Sequence, residues 1–184
     1  MKLFDKIFGK KYEQASKVTE SYVIDIRDDC FEVNGQRLEV PIHIDALIKV
    51  LGEPRAKHFK TKESEREINE KIAGEPITDR VNYFWDGLGL KAYTYNGSVV
   101  NTFGIQFIKA DYETKNIGTK AKFKGTVTIN GQPWLPAALA GRDKEVFREF
   151  HVGNYLITAE YTDFDQDDTT RDETSFTGLE IQLK

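Results

Sequence analysis

Apolar residues recur at period two along most of this chain and at helical spacing along a few short stretches, and the two patterns predict different elements. In residues 22–33, Tyr22, Ile24 and Ile26 alternate with Val23, Asp25 and Arg27, which predicts a strand bent at Asp28-Asp29. Asn34-Gly35 follows. This dipeptide suits a tight hairpin because both positions tolerate positive φ, so 36–40 is read as the returning strand. Residues 81–85 and 90–95 are read as strands joined at Asp86-Gly87. Asn96-Gly97 then turns the chain into a longer strand over 98–108, where Val99, Phe103, Ile105 and Phe107 share one face. These three strands form a meander. Further strands are predicted over 123–129, ending at Asn130-Gly131, and over 155–161 and 176–183.

Helical spacing appears in four places. Leu3, Phe4, Ile7 and Phe8 predict an amphipathic helix over 1–17. Ile44, Leu47, Ile48 and Leu51 predict a helix over 43–51, stopped by Gly52 and kept from resuming by Pro54. Val146, Phe147 and Phe150 predict a third helix over 143–150. Residues 55–80 are dense in charge and read as an exposed excursion, with a helical turn or two over 63–72. The expected fold class is therefore α+β: a mostly antiparallel sheet built from hairpins and a meander, with two or three short helices. The expected organisation is an N-terminal helix over 1–17 and one domain over 18–184.

Composition sharpens this only a little. The chain has 184 residues, 39% hydrophobic and 30% charged, enough to bury a core without staples. The net charge of −4 shows no basic footprint of a general nucleic-acid binder. Charge is uneven, however. Residues 1–17 carry five Lys against Asp5 and Glu13, and residues 160–173 carry seven acids against Arg171. One cysteine, Cys30, excludes an internal disulfide and a cysteine zinc cluster, and fits the reducing cytoplasm. No apolar run reaches the length of a membrane span, and the first residues lack the features of a secretory signal.

No familiar catalytic signature is present: no G-x-S-x-G, no phosphate-binding loop and no H-E-x-x-H. His43, His58 and His151 are far apart in sequence, and Asp28 and Asp29 disfavour a thiolate at Cys30. The reading leans away from an enzyme and expects no cofactor and no metal. Asp163, Asp165, Asp167 and Asp168 have the alternate spacing used by calcium loops, but Asp168 stands where the loop needs glycine and Glu173 falls one place early. They are better read as a solvated hairpin tip or as a contact surface for a basic partner. Trp85, with Tyr83 and Tyr93, could line a ligand or partner cleft, against the plainer reading of Trp85 packed in the sheet. Trp134, between Pro133 and Pro136, reads as a ring presented at an edge or loop. The Leu3, Phe4, Ile7, Phe8 face could bind an anionic membrane through residues 1–11, a role less favoured than docking on the sheet or fraying.

The order strand, Asn34-Gly35, strand, short helix ending Leu51-Gly52-Glu53-Pro54, then Tyr83-Phe84-Trp85-Asp86-Gly87-Leu88-Gly89 and a long alternating strand resembles an uncharacterised bacterial family with immunity-protein-like members. It also resembles the helix-then-sheet unit of small outer-membrane assembly lipoproteins and β-lactamase inhibitor proteins, though the lipidated cysteine of the former is missing. The resemblance spans about residues 22–136. It implies a non-catalytic cytoplasmic binding protein with a protein partner, and assigns no catalytic residue. The alternatives are a small enzyme or ligand-binding domain with a cleft near Trp85, and a membrane-surface adaptor.

Overall fold

Two Asn-Gly turns bracket the first strand of the fold and set one of its two sheets. The computed structural model describes residues 22–59, 76–107, 118–134, 147–161 and 176–183, together with Arg66, Glu70, Lys71 and Gly74. β1 (Val23–Ile26) pairs antiparallel with β2 (Phe31–Val33), which returns through Asn34-Gly35 into β3 (Gln36–Leu38). The other edge of β1 pairs in parallel with β8 (Thr126–Ile129), which turns at Asn130-Gly131 into β9 (Gln132–Pro133). Asn34, Gly35, Asn130 and Gly131 all have positive φ, as the turn chemistry requires. The two turns also anchor to β1 and the residues after it: Asn34 Oδ1 accepts from the Val23 N–H at 2.8 Å, and Asn130 Oδ1 from the Asp28 N–H at 3.2 Å.

The second sheet has seven strands in the order β10-β11-β12-β7-β6-β5-β4, antiparallel throughout. Its centre is the meander of β5 (Arg80–Trp85), β6 (Leu90–Thr94) and β7 (Val100–Gln106). β4 (Arg55–Phe59) flanks it on one side. β12 (Phe176–Gln182), β11 (Tyr155–Tyr161) and β10 (Phe147–Val152) extend it on the other. The sheets meet through one core, with the Phe31 ring edge-on to Phe103 at 4.9 Å. The helix α1 (Ile44–Leu51) buries Ile44, Leu47 and Leu51 in that core. Its first N–H bonds to the Ser98 carbonyl, and Gly52 closes it by donating to Ile48 O.

The protein is therefore mostly β, not the expected α+β fold with two or three helices. α1 is the one helix bounded among the described residues, with Arg66, Glu70 and Lys71 also helical. Two misreadings produce the difference. Phe147 and Phe150 lie within a strand: Phe147–Val152 pairs along its length with β11, so cross-strand pairing overrides a spacing that fits either element. Arg55–Phe59 is an edge strand instead of part of an excursion. Arg55, Lys57 and Phe59 on one face are half-buried and Ala56 and His58 on the other are exposed, but the half-buried face is mostly charged, so no apolar alternation marks the strand in the sequence. The expected helix over 1–17 lies outside the described residues. Among the described residues, no helix is long and apolar enough to cross a membrane.

Candidate functional site

Alternation along β5 and β6 decides where the predicted aromatic residues go. Tyr83 stands opposite Ala92, so Tyr83 and Trp85 point to the core face, while Tyr93, one residue beyond Ala92, points to the outer face. The three residues do not line one cleft. Trp85 is almost fully buried, and its indole N–H donates to the Gly52 carbonyl at 2.7 Å, tying the end of α1 to the sheet. Tyr83 donates its hydroxyl hydrogen to Gly97 O at 2.7 Å. Trp134 is half-buried and packs against the core. Asp163, Asp165, Asp167 and Asp168 lie outside the described residues.

A cleft of about 340 Å³ does open beside Trp85, where the 86–89 turn, the end of α1 and the start of β4 meet. Leu51, Phe84, Trp85 and Leu88 supply its apolar surface, and Tyr22, Glu53, Arg55 and Asp86 its polar rim. Arg55 grips Asp86 with two hydrogen bonds, Nε to Oδ2 at 2.7 Å and Nη2 to Oδ1 at 3.0 Å. Nη2 also donates to Gly118 O, and the Lys120 N–H donates to Asp86 Oδ1 at 3.2 Å. The guanidinium lies 4.3 Å over the Phe84 ring, which it covers on the outer face of the sheet. The clamp is thus fixed from β4, β5 and the 118–121 segment together.

Its electrostatics are those of two permanent charges. The hydrogen bonds from Arg55 hold the Asp86 carboxyl below the usual carboxylate range, outweighing the opposing effect of burial. Asp86 in turn raises the Arg55 guanidinium. Neither group exchanges a proton near neutral pH, so the pair orients and attracts but does not act as general acid or base.

A second polar group sits on the outer face of the sheet. Lys91, on β6, reaches over Gly104 to Glu180 on β12, Nζ to Oε1 at 2.8 Å. A Cβ at Gly104 would strike the lysine stem, so this glycine is required for the crossing. Burial alone would lower the Lys91 ammonium, but the Glu180 charge and the Tyr93 hydroxyl raise it above its ordinary value. On β11, burial raises the Glu160 carboxyl despite the opposing pull of Lys91.

Arg55, Lys91, Glu160 and Glu180 were not legible as site residues. Each occupies a polar position in an alternating or edge strand, and sequence alone does not say which charges share a face. Lys91 and Glu180 are 89 residues apart. Among the described residues, no group of three or more His, Cys, Asp or Glu is placed to hold a metal ion. His43 occupies the N-cap position of α1 without a side-chain capping bond, His58 stands 3.3 Å from Asp79 at the surface, and His151 is exposed on β10. Cys30 is buried, and burial raises its thiol.

No curated protein and no solved structure matches this chain. A family match covers residues 23–140, which takes in the five-stranded sheet, α1, the meander and the Arg55–Asp86 cleft apart from Tyr22, and leaves β10, β11 and β12 beyond it. On that match, the chain belongs to the family described as Domain of unknown function (DUF7738).

Proposed function

We propose that this chain is a non-catalytic binding protein of the bacterial cytoplasm, of the immunity type, which takes a segment of a partner protein into the cleft beside Trp85. The observation that carries the reading is the Arg55–Asp86 clamp. It is charged on both sides, bonded from three segments and set at the rim of an apolar cleft. Such a rim fixes the register of an incoming chain without rearranging first. The cleft volume lies at the low end of small-molecule pockets, which run about 300–1,000 Å³, and suits one or two side chains of a larger partner. The resemblance of residues 22–136 to immunity-protein-like sequences points the same way.

The test is genetic. The protein encoded beside this gene is expressed in a bacterial host alone and together with this chain. The proposal expects growth arrest by the neighbour, relief by the wild-type chain and loss of relief with Arg55→Ala. A harmless neighbour, or equal relief by Arg55→Ala, overturns it.

A further inference from the structure

The chain leaves α1 through Gly52-Glu53-Pro54-Arg55, and this short link brings two charges to the cleft beside Trp85. The two charges are not equally available. Arg55 is bonded through Nε and Nη2 to Asp86, so within the clamp positive and negative charge cancel. Glu53 lines the same cleft and is exposed. Among the described residues its carboxylate has no hydrogen bond and no ion pair. Tyr22 also lines the cleft, half-buried, and its hydroxyl likewise bonds to none of the described residues. The lining thus holds two carboxylates, Glu53 and Asp86, against the single guanidinium of Arg55, and the surplus charge is that of Glu53. Lys49 in the last turn of α1 and Lys120, 3.7 Å from Asp86, do not line the cleft.

We propose that the partner segment assigned to this cleft enters it with one long basic side chain, an arginine or a lysine, whose stem lies on the apolar surface and whose cation meets Glu53. The inference rests on the reading of the cleft as a partner site and adds what that site selects.

Three observations carry it. First, the apolar surface suits an alkyl stem. Leu51 and Trp85 are buried and held by the core, Trp85 also by its bond to Gly52, and Leu88 is half-buried beside them. Arginine and lysine bury their methylenes along such a surface and keep the charged head in water. Second, charge complementarity selects a cation. An incoming carboxylate would find Arg55 already bonded to Asp86 and would be repelled by Glu53, whereas an incoming cation finds a carboxylate with no competitor. Third, Leu51, the last residue of α1, lines the cleft, so the helix presents its C-terminal end there. That end carries partial negative charge and reinforces Glu53. A purely apolar side chain would cover Leu51 and Leu88 equally well but would gain nothing from either source of charge.

The experiment uses the full chain with labelled tryptophan, following the Trp85 indole N–H by NMR at neutral pH. The chain has two tryptophans, so the Trp85 signal is the one that remains in Trp134→Phe. The probes are the N-acetyl methylamides of arginine, lysine, norleucine and glutamate, each titrated separately at fixed ionic strength. The expected result is a saturable shift with arginine and lysine, about two- to fivefold tighter than with norleucine, as an exposed ion pair provides. Glutamate should bind more weakly than norleucine. In Glu53→Gln the two basic probes should fall to the norleucine value, while norleucine itself is unchanged. The variant should melt like wild type, because the carboxylate it removes has no internal partner. Norleucine binding as tightly as the basic probes, glutamate binding tightest, or basic probes indifferent to Glu53→Gln each overturn the inference. These three outcomes leave the cleft as a docking site, and the growth test decides that reading separately. Silence with all four probes, or a Glu53→Gln variant that melts well below wild type, also overturns the inference.

Discussion

Replacing Asp86 by Ala should expose how much the clamp contributes to the fold. The carboxylate accepts two hydrogen bonds from Arg55 and one from the Lys120 N–H, with Lys120 Nζ at 3.7 Å. Hydrogen bonds to charged groups contribute about 1.5–3 kcal/mol each where they are well shielded. Here the Arg55 side chain is 34% exposed and the Asp86 side chain 19%, so the sum must be discounted for solvent screening. A net loss of about 2–3 kcal/mol is expected at pH 7, including the cost of leaving Arg55 over Phe84 without its counter-ion. For a chain of this size that is a fall in melting temperature of about 4–12 °C. The pH dependence has a definite sign. Asp86 titrates below its ordinary value of 3.8 in the folded protein, so its contribution is complete above that value and is lost as pH falls through the folded pKa. The wild type and Asp86→Ala should therefore converge in stability in acid. Thermal melts between pH 2 and pH 7 would read this, and a double-mutant cycle with Arg55→Ala should return a coupling of about 1–2 kcal/mol. Equal melting temperatures at pH 7, or a gap that does not close in acid, would refute the reasoning.

Other positions give independent checks. Trp85→Phe keeps the apolar ring but removes the donor to Gly52 O, and should cost about 1–2 kcal/mol in chemical denaturation; no change would mean the indole bond is incidental. Gly89→Ala should abolish folding or lower stability by more than about 3 kcal/mol, because Gly89 has φ of +73° and an added Cβ would strike the backbone of Lys122 and Phe123. A well-folded Gly89→Ala would show that the 86–89 turn can move away. Lys91→Met should lower stability by about 2–4 kcal/mol by stranding Glu180 and Glu160 together, and the added variant Glu160→Gln should recover part of that loss. A Lys91→Met variant as stable as wild type would mean the outer-face pair contributes nothing.

The sequence carried local structure well and long-range structure poorly. Asn34-Gly35 and Asn130-Gly131 were legible as turns because few residue pairs accept two positive φ values in succession. The meander was legible because β5, β6 and β7 alternate and are separated by short turns. α1 was legible from its apolar stripe and from Gly52. By contrast, no local signal reports that β1 lies parallel to β8, about a hundred residues later. Nor does any local signal show that β4 is an edge strand, since an edge need not carry an apolar face. The same physics hid the candidate sites. Trp85 stood out as a large aromatic, but its burial against Gly52 gives it a structural role, and the charged groups around the cleft are Glu53, Arg55 and Asp86. Asp86 read as a turn residue. Only the pairing of β4 with β5 shows that Arg55 reaches it.

The central claim is that the Arg55–Asp86 cleft is where a partner protein binds. Titration calorimetry of the full chain against the protein encoded beside its gene tests it most directly, using wild type, Arg55→Ala and Lys57→Ala. Lys57 is the control, because it lies two residues along the same strand but does not line the cleft. The account predicts that Arg55→Ala weakens binding about tenfold or more, while Lys57→Ala binds like wild type. Equal affinities for all three chains, or no binding by the wild type, would contradict it.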